Sequence, residues 1–148
     1  MKARVGYAAG AFDLFHIGHL NLLRRAKGHC DELIAGVVSD ELLDLRRGRG
    51  AVIPLSERLE IVGAIDVVDR AVAETHLDKL DTRNDLHFDV FFKGDDWRGT
   101  RAGLDLERRF AEVGVEVVYF PYTIDTSSTV LRRALASLNE GAPVGATA

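Results

Sequence analysis

Two histidines, His16 and His19, stand three residues apart with Gly18 between them, in the stretch Ala9-Gly10-Ala11-Phe12-Asp13-Leu14-Phe15-His16-Ile17-Gly18-His19. An apolar run of strand length, Val5 to Ala9, precedes them, and Leu20, Leu22, Leu23 and Ala26 behind them fit one helical face. The pair therefore sits where a strand turns sharply into a helix. A helix start carries unpaired backbone N–H groups and the positive end of the macrodipole, so it attracts anions, above all phosphate. The missing Cβ of Gly18 lets a bulky ligand come close to the backbone. The pattern reads as a phosphate grip.

Two other groups offer donors to phosphate oxygens: the glycine-flanked basic cluster Arg46-Arg47-Gly48-Arg49, and the hydroxyls of Ser127, Ser128 and Thr129 ahead of a final helix. Each alone has a plainer reading, as a solvated charge run or a helix cap. The elements that must position them alternate. Strands are expected at Val5–Ala9, Glu32–Ser39, Val67–Val72, Asp89–Phe92 and Val115–Phe120. Helices are expected after His19, at Asp40–Leu45, at Ser56–Ile65 with Ser56 as cap, loosely within Thr75–His87, at Leu104–Val113 with Leu104, Leu106, Phe110 and Val113 inward, and at Val130–Leu138. This order predicts a single Rossmann-like α/β domain over 1–138, a doubly wound five-stranded parallel sheet with helices on both faces. The Gly-, Ala- and Pro-rich stretch 139–148 reads as a disordered tail. In such a fold ligands bind beyond the carboxyl ends of the strands, where all the chemically suggestive loops fall.

Composition narrows the partners. The chain has 148 residues, 47% hydrophobic and 28% charged, with a net charge of −4 that argues against general nucleic-acid binding. No apolar run reaches membrane-spanning length and Met1-Lys2-Ala3-Arg4 does not resemble a signal peptide, so a cytoplasmic protein is expected. The single Cys30 offers neither an intrachain disulfide nor a metal cluster.

Gly10-x-Phe12-Asp13-x-x-His16-x-Gly18-His19 resembles the signature of the His-x-Gly-His nucleotidyltransferase superfamily, and from Val5 to Leu135 the chain is similar to its bacterial glycerol-3-phosphate cytidylyltransferase family. The matching pieces include Arg47 and Arg49 where that family carries lysines, Glu57-Arg58, Ile65-Asp66-Val67-Val68-Asp69, Gly94-x-Asp96-Trp97 and Ser127-Ser128-Thr129. The resemblance implies cytidylyl transfer from CTP to a small phosphorylated alcohol, with Mg²⁺ accompanying the triphosphate and a homodimer formed through Ile65 to Asp69. It implies that His16, His19, Arg47, Arg49 and Ser128 act on the phosphates. Ala9, Gly10, Ala11, Phe12, Asp13, Gly18, Lys93, Gly94, Asp96, Trp97, Thr126, Ser127 and Thr129 would bind the nucleotide. Arg58 and Asp66 would meet the acceptor, and Asp13 would orient the histidine loop or a metal.

The chain departs from that family at Tyr122, where an arginine is expected, at Asp125 in place of a glycine, and at Asp66 in place of another arginine. A phenol does not replace a guanidinium on phosphate, so the acceptor stays open among polyol, amine-bearing and sugar phosphates. Adenylyl transfer from ATP and a non-catalytic nucleotide-binding module are the alternatives.

Overall fold

The computed structural model describes residues 2–121 and 127–141. Five parallel strands, β1 (Val5–Gly10), β2 (Glu32–Val38), β3 (Arg70–Glu74), β4 (Val90–Gly94) and β5 (Glu116–Phe120), form one sheet in the order β3-β2-β1-β4-β5. The helices are α1 (Ile17–Lys27), α2 (Asp40–Arg47), α3 (Leu55–Gly63), α4 (Lys79–Leu86), α5 (Arg101–Ala111) and α6 (Ser128–Gly141). The strand order reverses between β1 and β4, as the doubly wound expectation requires.

Strand alternation divides the core. Ala8 and Phe92 pack with Leu23 and Ala26 of α1 and Val62 of α3, whereas Tyr7 and Phe91 pack with Leu106 and Phe110 of α5 and, beside them, Leu80 and Leu86 of α4. The interior strand β2, between β3 and β1, is buried from Leu33 to Val38, which explains its unbroken apolar run. Thr100 caps α5 by accepting the Gly103 N–H at 3.0 Å, and a Cβ on Gly103 would overlap the Trp97 carbonyl oxygen. That glycine lets α5 press against the short 3₁₀ turn Asp95–Trp97 after β4.

Several boundaries differ from the sequence reading. The third strand starts at Arg70, because Val68 is buried in the preceding turn, its N–H bonded to the Ile65 carbonyl. Helix α3 begins at Leu55 behind Pro54 with no side-chain cap, so Ser56 lies inside the first turn. Leu104 and Val113 are exposed, and Gly103 joins Leu106 and Phe110 as the buried stripe of α5. Helix α6 continues past 138 through Asn139 and Glu140 to Gly141, so the expected tail begins inside a helix; 142–148 lie outside the described residues.

The carboxyl ends of β1 and β2 are locked by one side chain. Arg58 of α3 is 1% exposed and donates from Nε to the Ile53 carbonyl, from Nη1 to the Ala11 and Val38 carbonyls, and from Nη2 to Asp40, all within 2.8 Å. Removing it leaves three carbonyls without that donor, while Asp40 keeps the Leu55 N–H and solvent. Arg58→Met is expected to lower unfolding free energy by about 3–5 kcal/mol. A urea midpoint giving less than ~1 kcal/mol would show that water or neighbours satisfy those oxygens.

Candidate active site

The turn from β1 into α1 is held in an uncommon backbone form, with Phe12 at φ 50° and Leu14 at φ 52°. Non-glycine residues rarely adopt this left-handed region, and such strain clusters at functional sites. His16 occupies the N-cap of α1, where its Nδ1 accepts the Gly18 N–H at 3.0 Å, while its own N–H donates to His19 Nδ1 at 3.3 Å. The two imidazoles thus complete a reciprocal capping box, a task more often given to Ser or Thr with Glu. With both Nδ1 atoms accepting, the neutral rings carry their proton on Nε2. Both residues line the cleft, and among the described residues no hydrogen bond occupies either Nε2.

The first turn of α1 has no acidic side chain, so its dipole is uncompensated there. The His16 and His19 rings lie 3.9 Å apart between centroids, and Phe12 and Phe15 pack on the second at 5.5 and 5.3 Å. Burial, reinforced by His16, pushes the His19 pKa down to about 4 against the pull of Asp13; burial also lowers that of His16. Both rings are neutral at pH 7.

Asp13 is 2% exposed, and its carboxylate accepts the Val52 and Ile53 N–H groups at 2.8 and 2.9 Å. It ties the segment after α2 to the histidine turn. Ser128 Oγ donates to the Asp13 carbonyl at 2.7 Å, which brings the start of α6 onto the same turn. Ser127 Oγ accepts the Val130 N–H, and Thr129 Oγ1 accepts from Arg132.

These elements enclose a cleft of about 560 Å³. Among the expected residues it gathers Ala9, Gly10, Ala11, Phe12, His16, Gly18, His19, Arg47, Lys93, Gly94, Asp96, Trp97 and the 127–129 trio. It also takes in Arg46 of the basic cluster and adds Arg25 and Arg132, which the sequence gives no reason to place there. Arg46 and Arg47 close α2 instead of floating in a loop, and the end of that helix carries both, still exposed, to the rim of the cleft. Burial and the charges of Arg132, Arg46 and Arg49 depress the Arg47 pKa, and burial depresses that of Lys93, whose ammonium lies 4.0 Å from the Trp97 ring centre. Crowded cations of this kind favour a polyanion between them.

Other expected residues stand elsewhere. Arg58 is consumed by the buried clamp already described and lines neither cavity, so it has no donor aimed at an acceptor. Asp66 is exposed in the turn before β3, at the amino end of the sheet and away from the clefts. Arg49, beyond Gly48, is exposed and lines neither cleft, although its charge reaches Arg47. Phe12 is 2% exposed and supports His19 from the core more than it faces a base. The Asp13 carboxylate is closed by backbone donors, and among the described residues no group of three or more His, Cys, Asp or Glu side chains is placed to hold a metal. Thr126, and the departures at Tyr122 and Asp125, lie outside the described residues.

A second cavity of about 570 Å³ adjoins the first, sharing Ala9 to Ala11, Arg46, Arg47, Lys93 and Trp97 as a common wall. It opens on the side of α4 and α5, where the sequence was least readable.

Comparison with known proteins agrees with this geometry. The family model for cytidylyltransferase-like proteins matches residues 7–134. A glycerol-3-phosphate cytidylyltransferase of Bacillus spizizenii is 34% identical over 139 residues, covering 93% of this chain and all of the relative, and its Bacillus subtilis counterpart matches equally. An FAD synthase of Thermococcus sibiricus is 31% identical over 122 residues, 82% of each chain. A crystal structure of a lipopolysaccharide core biosynthesis protein from Thermoplasma volcanium superposes with a TM-score of 0.73 at 26% identity, covering 83% of this chain and all of that one. The strained histidine turn, the crowded cations and the parallel sheet that carries them are those of a chain that belongs to the cytidylyltransferase-like family.

Proposed function

We propose that this protein is a nucleotidyltransferase that moves the CMP unit of CTP onto the phosphate of a small phosphorylated alcohol and releases pyrophosphate. The observation that carries the proposal is the pair of imidazoles whose Nδ1 atoms are spent on the helix start, so that their Nε2–H donors face a cleft lined with cations. The names of the Bacillus relatives support cytidylyl transfer and an acceptor like glycerol 3-phosphate.

The chemistry asks little covalent help. An acceptor phosphate oxygen, anionic near neutral pH, forms a bond to the α-phosphorus as the bond from that phosphorus to the bridging oxygen breaks, and pyrophosphate departs with the electron pair. No base has to remove a proton. The barrier lies in bringing two polyanions together and stabilising the charge that grows on the equatorial and bridging oxygens. In this reading His16 and His19 donate to oxygens around the α-phosphorus. Arg132, Arg25 and the positive end of the α6 dipole hold the departing phosphates. Arg46, Arg47 and Lys93, on the wall common to both cavities, receive the acceptor phosphate. Gly94, Asp96 and Trp97 frame the nucleoside.

The expected Mg²⁺ does not fit the side chains as a protein-held ion: the Asp13 carboxylate is buried and already bonded. It belongs here as the triphosphate's own counter-ion, bound through phosphate and water. No step above depends on it. Homodimerisation through Ile65–Asp69 and a cytoplasmic location complete the proposal. The first has exposed Asp66 and Arg70 available, and the second is compatible with the absence of any described helix long and apolar enough to cross a membrane.

Steady-state pyrophosphate release with CTP or ATP and glycerol 3-phosphate tests the assignment. His16→Ala and His19→Ala are each expected to lower kcat by about 10²–10³-fold, with the circular dichroism of the parent; near-parental turnover in both would overturn the histidine roles.

Arg46→Ala should reduce kcat/KM by roughly 10–100-fold, the loss of a charge-assisted phosphate contact of about 1.5–3 kcal/mol. Arg49→Ala should stay within about threefold of the parent, as an exposed charge outside the cleft would. The reverse ranking would mean that the loop after Gly48 folds over the ligand.

Acid should also loosen the turn. The folded pKa of His19 lies near 4, below its value near 6.5 in the unfolded chain, so the unfolded state binds the extra proton between those values. Stability is expected to be full above about pH 6.5 and to fall as pH drops towards 4. His19→Gln, which does not titrate, should show a shallower fall in urea midpoint; parallel pH profiles would contradict this.

A further inference from the structure

The second cavity contains an element that neither the histidine grip nor the phosphate wall uses. At its far end Asp78, the N-cap of α4, accepts the Leu80 N–H on Oδ1 at 3.0 Å and Arg109 Nη2 of α5 on Oδ2 at 2.7 Å. The pair bridges two helices across the cleft and stays wet, with side chains 39% and 35% exposed. We infer that the Asp78–Arg109 pair selects the acceptor, reading hydroxyl groups on its carbon chain and turning away phosphate esters that carry an ammonium group. The inference rests on the transfer reaction proposed above, with the acceptor phosphate on Arg46, Arg47 and Lys93.

The donor and acceptor inventory decides which groups fit. Arg109 keeps N–H donors beyond the one given to Asp78, and the Asp78 carboxylate keeps lone pairs. Adjacent hydroxyls can therefore accept from the guanidinium and donate to the carboxylate at once. An ammonium has three donors and no acceptor, so it can use only the carboxylates. Of the two carboxylates lining this cavity among the described residues, Asp78 is held by Arg109 and Asp105 accepts from Arg108 at 2.7 Å. Lys79 lies beside Asp78, its ammonium 3.4 Å from buried Glu74, so an incoming ammonium would find the nearby carboxylate charge already balanced by Arg109 and Lys79. Between wall and pair, Phe91 and Leu106 give an apolar floor for the carbons, each less than a tenth exposed.

By charge alone, the acids Asp66 and Asp125 would suit an amine-bearing acceptor. Asp66 stands at the opposite end of the sheet, and Asp125 lies outside the described residues, so neither supports that choice in this cavity.

The test measures pyrophosphate release with saturating CTP and three acceptors matched in size: glycerol 3-phosphate, n-propyl phosphate, which lacks the hydroxyls, and phosphoethanolamine. The parent enzyme should favour glycerol 3-phosphate over n-propyl phosphate by roughly 10–100-fold in kcat/KM, less than a fully buried hydrogen-bonding site achieves, and should use phosphoethanolamine worst. Arg109→Met should raise KM for glycerol 3-phosphate by about the same factor with kcat little changed, leave n-propyl phosphate within about twofold and relax the exclusion of phosphoethanolamine; Arg109→Lys should recover part of the preference. Asp78→Asn, which keeps an N-cap oxygen, should also lose discrimination. A parent that prefers phosphoethanolamine, or an Arg109→Met variant that loses both hydroxylated and plain acceptors equally and shifts KM for CTP, would overturn the selecting role while leaving the transfer reaction standing. Absence of turnover with CTP or ATP on every acceptor would overturn the reaction and this inference together.

Discussion

The first turn of an α-helix must find partners for backbone N–H groups that the helix itself cannot supply, and here imidazole nitrogens meet that demand. One constraint therefore sets three properties of the site. Ring orientation follows because Nδ1 must face the backbone. The tautomer follows because an Nδ1 that accepts leaves the proton on Nε2. Neutrality follows because the aromatic packing that fixes the His19 ring also strips its water and lowers its pKa. Two left-handed residues, Phe12 and Leu14, are needed to bring the chain round, at a cost of order 1–3 kcal/mol each. The buried Phe12 ring and the two N–H bonds accepted by Asp13 lie in the same turn and offset it.

Around that turn the cations separate by environment into two kinds. Arg58 is wholly enclosed and every hydrogen bond it makes is to this chain, three to carbonyls that end strands or loops and one to Asp40. It holds the rim of the cleft in place and cannot also serve a substrate. Arg46, Arg47, Lys93 and Arg132 line the cleft, where burial first and neighbouring cations second depress the pKa values of Arg47 and Lys93. Gathering like charges costs folding energy, and a polyanionic ligand relieves it. In the proposed reaction that polyanion is the triphosphate.

Much of this was legible in the residues. The alternation of apolar strands and helices predicts the sheet, and the His-x-Gly-His spacing predicts the helix start, because both are local patterns with a fixed period or offset. Arg58 was misread because adjacency to a helix start looks the same whether a guanidinium faces solvent or the core. Only the crossing of β1, β2 and α3 shows that three carbonyls converge on it. Arg132 carries no such signal, because only the packing of α6 against the histidine turn brings a helix-interior side chain into the same cleft as Arg46 at the end of α2. Asp66 was misplaced for the opposite reason: it belongs to a matching segment, yet the strand that follows runs 5 residues before reaching the ligand-binding edge. The second cavity had no sequence signal, since α4 has weak periodicity and its contribution rests on a cap and one cross-helix pair.

The sheet topology bears directly on the proposed transfer. In-line displacement needs the attacking and departing oxygens on opposite sides of one phosphorus, and a single concave pocket gives both polyanions the same approach. Reversal of strand order at β1 and β4 puts α1 on one face and α4 and α5 on the other, so two cavities reach the end of β1 from different sides. They meet at Gly10, where no side chain stands between them, and at the cations of Arg46, Arg47 and Lys93. Triphosphate and acceptor can then occupy separate clefts, repel each other least before reaction, and share positive charge only at the atoms where the new bond forms. On this account the doubly wound sheet contributes to catalysis through approach geometry, while the histidine turn contributes the donors.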